Sequence, residues 1–366
     1  MAEPGRAVVP ALRRGPTWFL ARGEPGLGRL METVSLAQTV AAGQAPGRIR
    51  VLTSATAAPF ARRACPFPVD EFDLERGGDI QQTLIDSSAV QRLLERLARQ
   101  RPAALVVDGY AFLVPLLRAA TGAALVVVAN RHDLDNPAHS RGARLLQAAL
   151  HAPADLILVG ELRRDWRLGR LAGLPALLLP ALVRPRAPAG AARNPVVAVL
   201  GGGSRGDHEL ERSTAALLGA LDRAVGCGQL PSCRVFAGPL PGWAKERYPH
   251  LELGLDPALA LASMAAAEVV VARAGRSTLA EILALGKRAV VVAARSDTLR
   301  GAEQAANARR AAAISPGVVV LEMARVNQIG VAYRRARELQ PGRWHPGNSQ
   351  LWTALEAADR RSGGWA

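Results

Sequence analysis

The chain has 366 residues, 49% of them hydrophobic and only 4% aromatic, with a formal net charge of +15. That length exceeds one ordinary α/β core and suits two domains of roughly 150 to 180 residues each. Cores poor in aromatics must be built from Ala, Val and Leu, as in helices packed on a parallel sheet.

The charge invites a nucleic-acid reading, but its source argues against one. Lys245 and Lys287 are the only lysines, so the positive charge is almost all arginine, spread along the chain without a zinc-finger spacing or an aromatic-basic strip. No nucleic-acid partner is expected. The surplus fits anionic substrates and leaves peripheral contact with an acidic membrane face open. Cys65, Cys227 and Cys233 form no disulfide or zinc pattern, which points to a reducing, cytoplasmic setting. No apolar run approaches the roughly 18 residues that cross a bilayer.

In chain order, residues 1–15 read as a flexible tail without an export core. Short apolar runs then recur as strands: Thr17 to Ala21, Ile49 to Thr53, Leu105 to Val107, Ala124 to Ala129, Asp155 to Val159 and Ala176 to Leu179. Helical patterns such as Ala89 to Leu97 separate them, so strands alternate with helices. This is the signature of a parallel sheet covered on both faces, here over residues 16–184. The stretch 185–195, rich in proline and small residues, is a linker.

Alternation resumes over 196–340. Val196 to Leu200, Cys233 to Phe236, Glu268 to Val271, Arg288 to Val292 and Val318 to Leu321 read as strands, with helices near 208–225, 257–266, 278–285, 301–312 and 322–338. Both halves are therefore Rossmann-like. A last helical pattern within 345–362 is placed to pack back on the first domain.

Several constellations carry chemistry. Strand Val196 to Leu200 runs into a glycine loop whose Gly202, Gly203, Ser204 and Arg205 offer amides, a hydroxyl and a guanidinium to an anion. A tight strand-to-helix turn would look the same. Strand Glu268 to Val271 leads through Arg273 and Gly275 to a helix start at Ser277 and Thr278, with Glu281 one turn in. Amides there can face a diphosphate while Glu281 accepts from ribose hydroxyls. Alternatively, Thr278 and Glu281, three apart, form a capping box. Gln304 and Asn307 share a face of the next helix. In the first domain Gly26, Gly28 and Arg29 make a second glycine loop after the first strand, with Arg29 suited to anionic oxygens.

Two residues are candidate bases. His132 follows strand Ala124 to Ala129 at its carboxyl end, with Asp133 or Asp135 available to orient it; Asp108 ends strand Leu105 to Val107. Asp133-Leu134-Asp135 also spells D-x-D, a spacing that arises often by chance, so no metal is assigned.

The motifs from Leu200 to Gly206, Ala267 to Gly275, Thr278 to Glu281, and Gln304 to Ala308, in that order, resemble the C-terminal domain of family 28 glycosyltransferases. That family includes the N-acetylglucosaminyltransferase that makes lipid II. The resemblance covers about 195 to 335. It implies a GT-B fold, two Rossmann-like domains with parallel sheets facing a cleft, and inverting transfer from a nucleotide sugar, usually UDP-linked, with no cofactor. By this match Glu281 binds the ribose, Ser204 and the Gly275 turn the diphosphate, and Gln304 and Asn307 the donor sugar or its phosphates. Many relatives carry histidine where this chain has Arg29, a departure that argues against a hydrolase using that base. The acceptor is a hydroxyl on a small molecule, as in antibiotic assembly, or on a lipid-linked sugar of the cell envelope. The rival expectations are a GT-B-type nucleotide-sugar epimerase or hydrolase, and a basic protein that binds nucleic acid or an anionic surface.

Overall fold

The computed structural model describes residues 7–23, 27–42, 48–76, 84–134, 140–163, 174–185, 195–201, 208–238, 240, 243–294 and 299–362. The N-terminal domain runs α1 (Val8–Arg14), β1 (Thr17–Ala21), α2 (Gly28–Ala41), β2 (Ile49–Thr53), α3 (Ala58–Ala64), β3 (Val69–Glu71), β4 (Glu75–Arg76), β5 (Leu84–Ile85), α4 (Ser87–Gln100), β6 (Ala104–Asp108), α5 (Val114–Ala120), β7 (Ala124–Ala129), α6 (Arg131–Leu134), α7 (Arg141–His151), β8 (Leu156–Glu161) and β9 (Ala176–Pro180). The C-terminal domain continues with β10 (Val196–Gly201), α8 (His208–Gly226), β11 (Cys233–Ala237), α9 (Ala244–Arg247), β12 (Leu251–Glu252), α10 (Ala260–Ala266), β13 (Val269–Arg273), α11 (Arg276–Ala284), β14 (Arg288–Ala293), α12 (Leu299–Ile314), β15 (Val318–Glu322) and α13 (Ile329–Glu338). Helix α14 (Leu351–Ser362) closes the described chain.

Each domain is built on a parallel sheet, ordered β3-β2-β1-β6-β7-β8-β9 in the first and β12-β11-β10-β13-β14-β15 in the second. Alternation along the strands feeds a core on each face. Phe19 and Ala21 join Leu30 and Val34 of α2, whereas Trp18 and Leu20 join Leu93 and Leu97 of α4. In the second sheet Val269 and Val271 face one core and Val270 and Ala272 the other. Strands buried on both faces read as unbroken apolar runs, which is why the sequence located them closely.

Chain order reverses between β1 and β6 in one sheet and between β10 and β13 in the other. Open α/β sheets bind ligands outside the carboxyl ends of their strands at such points. The strand ends and helix starts there carry Arg29, Asp108, Arg273 and Gly275.

Two features depart from the sequence expectation. Residues Val8–Arg14, read as tail, form a helix that buries Val8, Val9 and Leu12. Its covering is α14, whose Leu351 and Leu355 enter the same core. Val9 N–H donates to Asp359 Oδ2 at 3.0 Å, and the Arg13 guanidinium stands 4.8 Å above Trp352. A seven-residue helix is too short to persist alone, so its signal lay in a partner more than three hundred residues away. The second departure is at 323–328, which forms a 3-10 stretch kinked at Arg325 before α13 begins.

The return crossing before α14 is pinned by Asn348. Its Oδ1 accepts from Val183 N–H at 3.0 Å, and its Nδ2 donates to Val183 O at 2.9 Å and Thr39 Oγ1 at 2.7 Å. Among the described residues no helix is long and apolar enough to cross a membrane.

Candidate active site

The site assembles where the amino ends of α2 and α11 meet across the two domains. Ser277 Oγ donates to the carbonyl of Gly28 at 3.1 Å, joining the first turn of α11 to the first residue of α2. Neither helix has an acidic residue in its first turn, and each opens on Gly-Arg: Gly28-Arg29 and Gly275-Arg276. Cations at helix amino ends oppose the macrodipole, which favours anions there. Two positive helix ends flanked by arginine are therefore a place prepared for negative charge.

On the first-domain side, Asp108 at the end of β6 is fully buried. Its Oδ1 accepts from Arg29 Nη1 at 2.9 Å and its Oδ2 from Thr33 Oγ1 at 3.1 Å. Both oxygens are thus engaged by α2. That placement suits an anchor for Arg29, and it departs from the expectation of Asp108 as a proton acceptor. The next residue, Gly109, has φ +86°, and a Cβ there would lie 2.6 Å from Arg22 Cβ and 2.7 Å from Arg29 Cδ. Only glycine lets the chain turn and the arginines pass together.

Glu32, one turn into α2, is 5% exposed and pairs with Arg276 Nη2 from the other domain. Arg276 Nη1 also donates to the carbonyl of Gly160 in β8. Gly160 leaves room for this pair, because a Cβ would sit 2.8 Å from Glu32 Oε1 and force it to shift. Burial pushes the Glu32 carboxyl up to about 7, with Arg276 opposing the shift and Asp108 adding to it. Burial alone would lower Arg276, yet Glu32 and Glu161 hold its pKa above the usual value. Glu161 accepts from the Arg131 N–H at 3.0 Å and lies 3.9 Å from Arg310 of α12.

On the second-domain side, Glu281 is held by a two-bond fork: Arg184 Nε to Oε1 at 2.7 Å and Nη2 to Oε2 at 3.1 Å. The capping-box alternative is not what forms. Gly275 is the N-cap of α11, no side chain caps it, and Thr278 falls within the first turn. Arg273 is buried, donating to Leu200 O at 3.2 Å and Thr214 Oγ1 at 2.7 Å, so it ties the end of β13 to β10 and α8. Gly275 is exposed, and a Cβ on it would meet nothing within 4 Å.

Asn307 Nδ2 reaches the carbonyl of Ala274 in the same turn at 3.5 Å, and its Oδ1 lies 3.4 Å from Arg310 Nη1. Gln304, one turn earlier on α12, is 9% exposed with its Oε1 buried and without a hydrogen-bond partner. A buried acceptor left without a donor costs free energy.

Gly26, Gly202, Gly203, Ser204, Arg205 and Asp135 lie outside the described residues, as do the side chains of His132 and Asp133. The backbone of His132 belongs to α6, directly beyond β7. Among the described residues no group of three or more His, Cys, Asp and Glu side chains is arranged to hold a metal ion.

Sequence reasoning missed Glu32, Glu161, Arg184 and Arg310. Each is a charged residue in an otherwise apolar or helical stretch, and its role appears only once the domains are side by side. The one available signal was arginine at the start of two glycine-led helices.

Two parallel α/β domains with helix amino ends converging between them define the GT-B class. Residues 258–326 match the sequence model of the glycosyltransferase family 28 C-terminal domain. Among solved structures, the glycotransferase of kitacinnamycin superposes with a TM-score of 0.56 at 15% identity, covering 96% of each chain. The spinosyn forosaminyltransferase SpnP gives 0.54 at 15% identity, covering 96% of this chain and 95% of that one. SsfS6 from Streptomyces sp. SF2575 gives 0.52 at 16% identity over 93% of this chain and 99% of that one, and it is also solved with thymidine diphosphate. No curated protein matches the sequence. The chain has the GT-B fold, and part of its C-terminal domain is similar to that of family 28 glycosyltransferases.

Proposed function

We propose that the protein transfers a sugar, with inversion, from a nucleoside diphosphate sugar to an acceptor hydroxyl. The observation that carries this is the meeting of the two arginine-flanked amino ends of α2 and α11 at Ser277 and Gly28. The departing diphosphate gains negative charge as its bond to the anomeric carbon breaks. Fixed amides and guanidinium groups oriented beforehand are the kind of stabilisation that contributes most in such sites. No metal is needed in this scheme.

In it, Glu281 accepts from the ribose, the Gly275–Thr278 turn and the glycine loop at Gly202 to Arg205 hold the diphosphate, and Gln304 and Asn307 meet the donor sugar. Arg29, anchored by Asp108, faces the diphosphate from the first domain together with the loop at Gly26 and Gly28. The acceptor oxygen attacks the anomeric carbon opposite the diphosphate, and its proton passes to His132. A UDP-sugar is the first donor to test. TDP-sugars follow, because SsfS6 is solved with thymidine diphosphate.

A natural-product hydroxyl is the favoured acceptor, in keeping with the spinosyn and kitacinnamycin enzymes of the same fold. A lipid-linked acceptor would have a specific place to approach, since Leu145 and Leu146 of α7 are 62% and 58% exposed beside Arg141 and Arg144. Binding to anionic vesicles that vanishes in Leu145→Asp/Leu146→Asp would favour that acceptor and a protein working at the cytoplasmic membrane face.

The decisive experiment is thermal stabilisation by UDP, TDP, GDP, ADP and CDP, repeated with Glu281→Ala. Selective stabilisation by one diphosphate, lost in the variant, is expected. No response to any of them would overturn the proposal. Release of sugar from the donor without acceptor would move the reading to a hydrolase.

A further inference from the structure

Arg184 sits in the chain crossing that follows β9, outside the glycine turns and helix ends just described, yet its side chain fills the space beside Glu281. Both side chains are less than a tenth exposed. We infer that Arg184 is a positioning residue for recognition of the donor ribose, and that it couples that recognition to the arrangement of the two domains. The inference rests on the proposed role of Glu281 as the ribose carboxylate.

The geometry supports a brace, because of how the lone pairs divide. An ionised carboxylate offers about four acceptor positions, two on each oxygen. The fork from Arg184 takes one on each, through Nε at 2.7 Å and Nη2 at 3.1 Å. One acceptor position therefore remains on each oxygen, which is the number that a pair of adjacent ribose hydroxyls requires. The guanidinium is planar and its donors are fixed relative to one another, so it also sets the plane in which the carboxylate lies. A lysine would supply charge from one point and leave that plane free.

The coupling follows from where Arg184 is anchored. Its neighbour Val183 is gripped through both backbone groups by Asn348, which bonds in turn to Thr39 of α2. Ala181 N–H donates to Glu161 O at 2.9 Å, and Ala181 O accepts from Gly347 N–H at 3.2 Å. The backbone of the crossing is thus bonded to the first domain, although Ala181 and Val183 also pack on the second domain's core, while Glu281 belongs to α11 of the second. Ribose recognition is complete only when the second domain brings Glu281 onto Arg184. Donor binding by this route selects the arrangement seen here, in which Ser277 also touches Gly28.

The test compares the affinity of UDP, TDP, GDP, ADP and CDP with that of each 2′,3′-dideoxynucleoside diphosphate, for the full chain and for Arg184→Met, Arg184→Lys and Glu281→Ala. Hydrogen bonds to a charged group favour the hydroxylated nucleotide by roughly tenfold to hundredfold, and the wild-type protein is expected to show this. Arg184→Met and Arg184→Lys should each reduce that preference by at least threefold while leaving affinity for the dideoxy nucleotide within about threefold of wild type. A purely structural ion pair would weaken both nucleotides alike or neither. Should Arg184→Met fail to fold, Arg184→Lys keeps the stem and charge and still removes the fork. Full preference retained in a folded Arg184 variant, with the preference lost in Glu281→Ala, would overturn the inference and leave the ribose reading standing. Preference retained in Glu281→Ala would overturn the ribose reading itself.

Discussion

Glu32 gives the most direct test of the electrostatics between the domains. Burial is the leading cause that pushes its carboxyl up from the ordinary 4.5 to about 7. A group whose folded pKa is raised lends stability that is fully present below the unfolded pKa and is lost as pH rises through the folded one. The gap between 4.5 and about 7 corresponds to roughly 3 kcal/mol, at about 1.4 kcal/mol per pH unit. Glu32→Gln copies the protonated acid and does not titrate. Below the unfolded pKa both proteins place a neutral group opposite Arg276, so their stabilities should lie close together there. The prediction therefore concerns slope. The stability of Glu32→Gln minus that of wild type should climb by about 3 kcal/mol between pH 4.5 and 7 and stay level on either side. Urea unfolding at half-unit pH steps, followed by tryptophan fluorescence and far-UV dichroism together, measures it. A flat difference, or one that falls with pH, would refute the argument that burial dominates at this site.

Three further outcomes follow from single positions. Gly109→Ala, at φ +86° with a Cβ 2.6 Å from Arg22, should cost about 2–4 kcal/mol and lower Tm by roughly 5–15 °C; an unchanged Tm would show that the turn has slack. Asn348→Ala should cost about 2–4 kcal/mol by stranding both backbone groups of Val183. Asn348→Asp, which keeps the accepted bond and loses the donated ones, should fall between; equal stability of all three proteins would contradict the pinned crossing. Gly275→Ala meets no atom within 4 Å, so stability should stay within about 0.5 kcal/mol. Stabilisation by a nucleoside diphosphate should nevertheless weaken tenfold or more, and a variant that binds as wild type would remove the turn from the diphosphate site.

The sheets were legible because their strands are buried on both faces and so carry uninterrupted apolar runs, such as Val269–Arg273 and Ala124–Ala129. Local chemistry also marked the turns: a glycine after a strand, then a helix start, as at Gly275. What could not be read is whatever needs two distant segments at once. Helix α1 exists because α14 covers it. Glu281 was recognised as special, but its partner Arg184 stands ninety-seven positions away in a stretch that reads as the approach to a linker. Thr278 and Glu281 had the spacing of a capping box, and that spacing was misleading because the helix begins two residues before Thr278. Spacing identifies a motif; the register of the helix decides which role it takes.

The arginine excess acquires a physical meaning at the domain boundary. A biased coding sequence suffices to explain many arginines on the surface, but Arg184 and Arg276 are buried between domains, each forked or paired to a carboxylate of the other half. Buried ion pairs are poor sources of net stability, since desolvation consumes most of what attraction returns, whereas breaking one leaves an uncompensated charge. An interface built from them is therefore intolerant of misalignment without being strongly adhesive. Apolar residues over the same area would hold the halves together in several nearby arrangements; forked pairs accept one. For an enzyme working as proposed above, opening to exchange nucleotides and closing to align an acceptor with an anomeric carbon, that combination would suit the task, because alignment is enforced in the closed arrangement without a large barrier to leaving it. Arginine serves better than lysine in this role, because its planar fork fixes direction as well as charge.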